Sequence, residues 1–324
     1  MRAWISGEPP GRASLRLEDL PTLKPDGDNL LVRVVAAALN FSDALMIDGK
    51  YQVRPPRPFT PGQEIAGVVD AAPEDSGFHA GDRIVSKVEW GGFAELARVR
   101  SDMAIRVPDG ADLTEALALP VVYMTALMAL TESARVKPGD TVLVHAAAGG
   151  MGVAAVEIAK ALGARVIGTA GGAGKRALAR EHGADEAVDY GRAGWIDEVK
   201  HLTGGRGADV IVDPVGGDIG EQSLHCIARD GVLLVVGFAS GRIPKFEASR
   251  LLLKRASVKG VYWTHDHDGP MLARLGEALV AWLADGRINP VVRADYAFED
   301  LPGALDDLRS RRSVGKLALK VSDL

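Results

Sequence analysis

The sequence predicts an α/β protein of two domains, one β-rich and one built on a doubly wound parallel sheet. Length is the first observation: 324 residues exceed one ordinary core and suit two. The second is a change of rhythm at Val136-Lys137-Pro138-Gly139-Asp140. Before it, short apolar runs are separated by Pro, Gly and Asp clusters; after it, strand and helix patterns alternate. The third is a loop of small residues, His145-Ala146-Ala147-Ala148-Gly149-Gly150-Met151-Gly152, entered by a β-branched apolar run and left by an amphipathic one.

In order along the chain, the runs 30–39, 65–69, 83–88 and 93–99 predict strands of a small barrel-like domain. Strands of the parallel sheet are expected at 142–145, 165–169, 186–190, 210–213, 232–236 and 257–261, with helical patterns in the gaps. An amphipathic helix at 271–284 follows, with Asp268 before Gly269-Pro270 as helix-start chemistry. An extended stretch at 291–298, a short helix and a strand at 316–321 end the pattern. This tail continues neither the nucleotide-fold rhythm nor a linker, and is expected to return and complete the first domain.

The small-residue loop carries the chemistry. Ala147-x-Gly149-x-x-Gly152 is a dinucleotide fingerprint with Ala in the first glycine slot. Residues this small let backbone approach a pyrophosphate, and a helix N-terminus supplies N–H donors and the positive end of a dipole. Ala147, Gly149, Gly150, Met151 and Gly152 are therefore cofactor candidates. A structural glycine-rich turn has the same local pattern, so the next strand decides. An NAD site places an acid on the ribose 2′-hydroxyl about 20 residues past the glycines. Here no Asp or Glu occurs between Glu157 and Glu181, and the strand runs into Gly171-Gly172-Ala173-Gly174-Lys175-Arg176. A missing carboxylate and nearby cations favour a 2′-phosphate, hence NADPH, with Gly171 and Lys175 at that end. The bland alternative makes Lys175 and Arg176 solvated helix charges. A Walker A loop is excluded, since Thr169 stands where it needs Gly and Arg176 where it needs Ser or Thr.

Composition narrows the classes. Net charge is −5, so no electrostatic footprint for nucleic acid is present. No apolar run is read as reaching the roughly 18 residues of a membrane span, and no signal-peptide pattern opens the chain. The single cysteine, Cys226, excludes an intrachain disulfide and a cysteine-rich zinc lobe. A cytoplasmic setting is expected. Thr264-His265-Asp266-His267-Asp268 alternates metal-capable side chains, but alternation does not converge on one ion in most loops.

Ordered motifs run from end to end: Leu39-Asn40-Phe41-Ser42-Asp43, Gly49-Lys50-Tyr51, Pro61-Gly62-Gln63-Glu64, Gly81-Asp82-Arg83-Ile84-Val85, Gly91-Gly92-Phe93-Ala94-Glu95, the glycine loop, and Gly315-Lys316. In these the chain resembles the zinc-free medium-chain dehydrogenase/reductases of the NADPH:quinone oxidoreductase (zeta-crystallin-like) family. The resemblance implies a GroES-like catalytic domain, 1–120 completed by 263–324, and a Rossmann domain, 121–262, with the active site in the cleft between them. It also implies homodimers joined edge to edge through their Rossmann sheets. Zinc-dependent relatives hold their metal with Cys, His and a further ligand. Here Asn40 stands in the Cys slot, Gln63 in the His slot, and the third region, near Val121, is apolar.

Without a Lewis acid, alcohol oxidation is disfavoured and reduction of an electron-poor acceptor remains. A quinone or an α,β-unsaturated carbonyl needs only hydride and hydrogen-bond donors where charge develops. Asn40 has an amide donor, Tyr51 an O–H suited to proton donation, and Asp43 the means to orient their loop. In the related 2-enoyl thioester reductases, a Tyr at the same offset from the Asn is the catalytic acid. Tyr51 is either that acid or a rim tyrosine shaping the pocket. By position in the family, Thr125, Gly237 and Phe238 approach the nicotinamide, Tyr190 the adenine ribose phosphate, and Lys316 the cofactor from the returning segment. His145 is expected to be a structural hydrogen-bonder. Pocket shape is expected to depend on Met46, Tyr51, Trp90, Tyr123, Tyr262 and Trp263. Two alternatives stay open. One is a reductase of enoyl thioesters or unsaturated acids, for which Arg57, in Pro55-Pro56-Arg57-Pro58 beside the Tyr51 loop, is the candidate cation. The other is an NADPH-binding protein without turnover.

Overall fold

Apolar runs in the first part of the chain become strands because each can bury a face against its neighbours, and pairing then sets which polar residues meet. The computed structural model describes residues 1–323. Its elements begin with β1 (Arg2–Ser6), β2 (Leu15–Asp19), β3 (Leu30–Ala38), α1 (Phe41–Ile47), β4 (Glu64–Ala71), β5 (Arg83–Lys87), β6 (Leu96–Val99), β7 (Ala104–Arg106) and α2 (Leu113–Ala116). There follow α3 (Met124–Met128), β8 (Thr141–Val144), α4 (Gly150–Ala161), β9 (Arg165–Thr169), α5 (Ala173–Glu181), β10 (Glu186–Val188), α6 (Trp195–Leu202), β11 (Ala208–Asp213), α7 (Gly217–Ser223), β12 (Ile227–Val235), α8 (Ala248–Lys254) and β13 (Ser257–Gly260). The chain ends with α9 (His265–Ala284), β14 (Val292–Ala297), α10 (Leu301–Arg309) and β15 (Lys316–Lys320).

The first unit comprises Met1–Val121, Asp268–Ala284 and the residues from Pro290 on. Its main sheet has the order β14-β15-β3-β4-β5-β7, with β6 also on β3. The returning strand β15 lies antiparallel to β3, with Ala318 opposite Ala38. Leu30, Val32 and Val34 of β3, Ile65, Phe93 and Phe298 form part of its buried core. The second unit comprises Val122–His267 and Asp285–Asn289. Its strands have the order β10-β9-β8-β11-β12-β13, all parallel. That is a doubly wound Rossmann order, reversing direction between β8 and β11. Ile167, Leu143, Ile211 and Leu233 stand in register across four strands, and all are buried.

Several expectations need correction. The strands β1, β2 and β7 and the helix α1 were not expected, because short runs against turn-rich sequence carry little periodic signal. The return to the first unit falls at Asp268 rather than 263, and Asp285–Asn289 stays with the second. Side-chain anchors explain both shifts: the Trp263 indole donates to Thr125 at 3.0 Å, and Asn289 N–H donates to the Glu157 carboxylate at 2.9 Å. Helix α9 begins at His265, with Pro270 inside it. Proline there has no backbone N–H to give the helix. Finally, the helical stretch Leu113–Ser133 is apolar and long enough to span a membrane, contrary to the expectation. Most of it is buried within the protein, so its hydropathy is that of core helix.

Candidate functional site

The nucleotide-binding features gather at the carboxyl ends of the parallel strands. β8 leads through His145 into the small-residue loop, and Gly149 is the N-cap of α4 with no side chain capping it. The first-turn N–H groups of Gly150, Met151 and Gly152 thus face away from the helix without an intrahelical acceptor. The chain approaches itself closely here. A Cβ on Gly152 would stand 2.1 Å from the Ala146 carbonyl oxygen and 2.6 Å from Ala147 Cα. Alanine fits the first glycine slot because β9 offers Gly168 opposite it: a Cβ there would lie 2.8 Å from the Ala147 methyl. Ala147 N–H donates to the Thr169 carbonyl at 2.9 Å, fixing the loop to β9.

At the adenine end, Gly171 is exposed, and Gly172, at φ +79°, caps α5. Lys175 is half-buried, and burial lowers its ammonium pKa. Arg176 is paired within the protein, donating to Asp189 at 2.5 Å. Of the expected pair of cations, Arg176 is thus engaged by Asp189. Tyr190 follows Asp189, its ring 6.4 Å from that of His145. Gly237 and Phe238 lie in the turn after β12, held to the loop after β11 by Ala239 N–H donating to the Pro214 carbonyl at 3.0 Å. Thr125 lies on α3 and accepts from Trp263.

His145 is structural. The Ser223 hydroxyl donates its one proton to the Ile219 carbonyl at 2.6 Å, so at 2.7 Å it accepts from His145 Nε2–H. Nδ1 is then the lone pair that accepts the Thr169 hydroxyl at 2.8 Å. Burial lowers the ring's pKa and keeps it neutral. Cys226 is likewise buried, its thiol pushed up to about 12 by burial, and is unsuited to nucleophilic work.

In the first unit, neighbouring strands converge three polar side chains. Asn40 follows β3 and caps α1, Glu64 opens β4, and Lys316 opens β15; β3 lies between the other two. Lys316 Nζ stands 2.6 Å from Glu64 Oε2 and donates to Asn40 Oδ1 at 2.5 Å. Asn40 Nδ2 donates to Glu64 Oε2 at 3.1 Å, while Val121 N–H donates to Glu64 Oε1 at 2.9 Å. Lys316, expected to reach the cofactor from the returning segment, has its ammonium held by buried neighbours on its own sheet. Asp43 braces the backbone of the loop that carries Asn40. Fully buried, its Oδ2 accepts the Asn40 backbone N–H at 2.7 Å, and burial pushes its carboxyl up to about 7.

Tyr51 lies on the bend after α1, partly exposed. Arg57 shapes that segment. Its guanidinium donates to the carbonyls of Gly7, Met46 and Ile47 and to the Ser6 hydroxyl at 2.7–3.0 Å. A cation so engaged is a clamp on the end of α1 rather than a receptor for a substrate carboxylate or phosphate.

The donor set at the zinc slots does not suit zinc. Asn40 and Gln63 are neutral amides, Gln63 accepting from Ser42 at 2.5 Å, and a lysine ammonium already sits against Asn40. Among the described residues no three His, Cys, Asp or Glu side chains converge.

The comparisons with known proteins agree with this geometry. Residues 26–109 match the alcohol dehydrogenase GroES-like domain, and residues 150–278 match the zinc-binding dehydrogenase domain. A quinone oxidoreductase-like protein 2 homolog of Nematostella vectensis is 38% identical over 294 residues, 89% of this chain and 80% of that protein. The chain belongs to the quinone oxidoreductase family of medium-chain dehydrogenase/reductases. The quinone oxidoreductase of Homo sapiens is 31% identical over 323 residues, covering 98% of this chain and 97% of the human one. The crystal structure of Escherichia coli quinone oxidoreductase complexed with NADPH has a TM-score of 0.90 at 28% identity, covering 99% of this chain and 100% of that one. The two-domain fold of the family, GroES-like and Rossmann, is the one found here.

Two residues that matter escaped the sequence reading. Glu64 was quoted only as part of a motif; its signal was a carboxylate leading an apolar strand. Glu157 lies mid-way along α4 between Val156 and Ile158, a charge on a helix otherwise almost wholly apolar. Of the residues expected to shape a pocket, Met46 and Tyr123 are core instead, while Trp90 and Tyr262 are exposed. Tyr123 is buried because its hydroxyl has a dedicated acceptor, donating to Glu157 at 2.6 Å.

Proposed function

We propose that this chain is an NADPH-dependent reductase of quinones or α,β-unsaturated carbonyls that works without a metal. The observation that carries the reading is the Asn40–Lys316–Glu64 cluster, in which an amide and an ammonium stand where a metal-dependent relative needs thiolate and imidazole. When bound, NADPH supplies the hydride. The helix N-terminus at Gly150, Met151 and Gly152 holds its pyrophosphate, and Lys175 favours the 2′-phosphate, with no carboxylate following β9 to oppose it. Asn40 donates to the acceptor oxygen as charge develops there. Tyr51 supplies a proton to the carbon of an enone; a quinone takes its proton from solvent.

NADPH deuterated at the transferable position, offered with a naphthoquinone or a simple enone, tests this. Turnover with deuterium on the β-carbon of a saturated ketone is expected for the enone, and loss of that product in Tyr51→Phe. Lys175→Ala is expected to raise KM for NADPH by about 10-fold or more while leaving NADH unchanged, the loss of one charge-assisted contact. NADPH binding with neither acceptor turned over overturns the reductase reading.

We propose further that the chain is a homodimer. β13 closes one edge of the parallel sheet, and the exposed side chains Leu252 and Leu253 of α8 precede it by a few residues. Paired strand edges and exposed leucines are stabilised together by a second copy. Sedimentation equilibrium is expected to give twice the monomer mass, and Leu252→Glu with Leu253→Glu to halve it; a wild-type monomer overturns the proposal.

A further inference from the structure

Asn40, Glu64 and Lys316 form a closed, buried circuit. Lys316 is 4% exposed and Glu64 fully buried. A buried ion pair is a poor investment in stability, since apolar replacements are often neutral or better. Its geometry is informative for another reason. A side-chain amide can ordinarily sit either way round, but here the ions decide the orientation. The amide oxygen must face the ammonium and the amide nitrogen the carboxylate; the reverse would set a carbonyl against a carboxylate and N–H against an ammonium. Glu64 is itself braced by the Val121 N–H, so the pair cannot swing to follow the amide. One Nδ2–H goes to Glu64 and the other is left to point away from the circuit. A cation on the amide oxygen also draws density from the nitrogen, which makes that remaining N–H a stronger donor.

We infer that Lys316 and Glu64 are positioning residues that hold and polarise the Asn40 amide as a preorganised donor to the acceptor oxygen. The inference rests on the reductase reading for its substrate but not for its geometry. Lys316 thus contributes a fixed positive charge through Asn40, without touching the reacting atoms.

A double-mutant cycle tests it. Asn40→Ala is expected to lower kcat about 100-fold, the loss of one oxyanion donor. Lys316→Met is expected to lower kcat about 10- to 100-fold, with KM for NADPH changed less than about 3-fold, and Lys316→Arg to recover most of the rate. In the Asn40→Ala background, Lys316→Met is expected to add nothing beyond about 2-fold. Multiplicative losses overturn the inference, as does a large rise in KM for NADPH at unchanged kcat, which makes Lys316 a cofactor contact. Lys316→Met with Glu64→Gln removes both ions at similar volume, and is expected to fold as wild type with kcat as low as the single variant; wild-type kcat in it overturns the inference. A readout free of turnover is the NMR signal of the Asn40 side-chain amide, assigned by its loss in Asn40→Asp. It is expected to be shifted and slow to exchange in the wild type and ordinary in Lys316→Met. An ordinary signal in the wild type overturns the inference whatever the activity. A shifted, Lys316-dependent signal in a protein that reduces no acceptor supports the positioning and overturns the reductase reading instead.

Discussion

Gly152→Val unfolds the nucleotide-binding unit or leaves it unable to hold NADPH. The position has no conformational peculiarity; its demand is space. The atoms a Cβ would meet, at 2.1 and 2.6 Å, are the Ala146 oxygen and Ala147 Cα, which are backbone and cannot rotate aside. Relief requires the loop to leave β8 or α4 to tilt, and overpacking of a rigid site costs about 1–3 kcal/mol even where the surroundings yield. Against a total stability of roughly 5–15 kcal/mol, a loss at or above the top of that range moves the urea midpoint far. Gly174→Ala is the control, because a Cβ there meets nothing within 4 Å and the residue lies inside α5. That variant is expected to gain about 0.5–1 kcal/mol from helix propensity. A Gly152→Val protein with wild-type midpoint and wild-type NADPH affinity would show that the loop does not pack as described.

Glu157→Leu is expected to be nearly as damaging, by a different route. The Glu157 carboxylate accepts from Tyr123 Oη at 2.6 Å, from Asn289 N–H at 2.9 Å and from His182 Nδ1 at 2.6 Å. It joins four stretches of the second unit: α4, the segment before α3, the end of α5, and the returning residues Asp285–Asn289. Removing it strands a buried hydroxyl, a half-buried backbone amide and an imidazole, and breaking a buried pair costs about 3–5 kcal/mol. Glu157→Gln keeps acceptors for two of the three and is expected to lose less.

The same site makes stability depend on pH. The hydrogen bond that His182 donates to Glu157 is the main cause raising the His182 pKa above its ordinary 6.5. A base with a raised folded pKa stabilises fully below its unfolded value, and that contribution disappears as pH rises through the folded pKa. Asp43 acts in the same direction, its folded value of about 7 lying above the ordinary 3.8, so its protonated form is also favoured by folding. The Asp43 contribution is lost between pH 3.8 and about 7 and the His182 contribution as pH climbs above 6.5, so wild-type stability is expected to fall across both windows. The difference between wild type and Glu157→Gln isolates the histidine: it should be largest in mild acid and shrink on the alkaline side. A difference independent of pH would mean that His182 is neutral in the folded protein.

Much of the molecule was legible in the order of residues. The parallel sheet, the glycine loop, the helix from Gly150 and the returning strand at Lys316 all follow from local pattern, because periodicity and loop size are properties of neighbours in sequence. The missing acid after β9 is equally local, an absence anyone can read. What the order of residues left open were the pairings between distant segments. Asn40, Glu64 and Lys316 meet because β3 lies between β4 and β15, a matter of strand order. Arg57 is a clamp and not a substrate cation because four acceptors from two segments surround it. Arg176 is matched to Asp189 only once α5 packs on β10. The sequence by itself carried the nucleotide loop and the motifs in which the chain resembles its family; tertiary structure decided which charges face one another, since a side chain's electrostatic role depends on through-space distance and burial, and neither is written in its immediate neighbours.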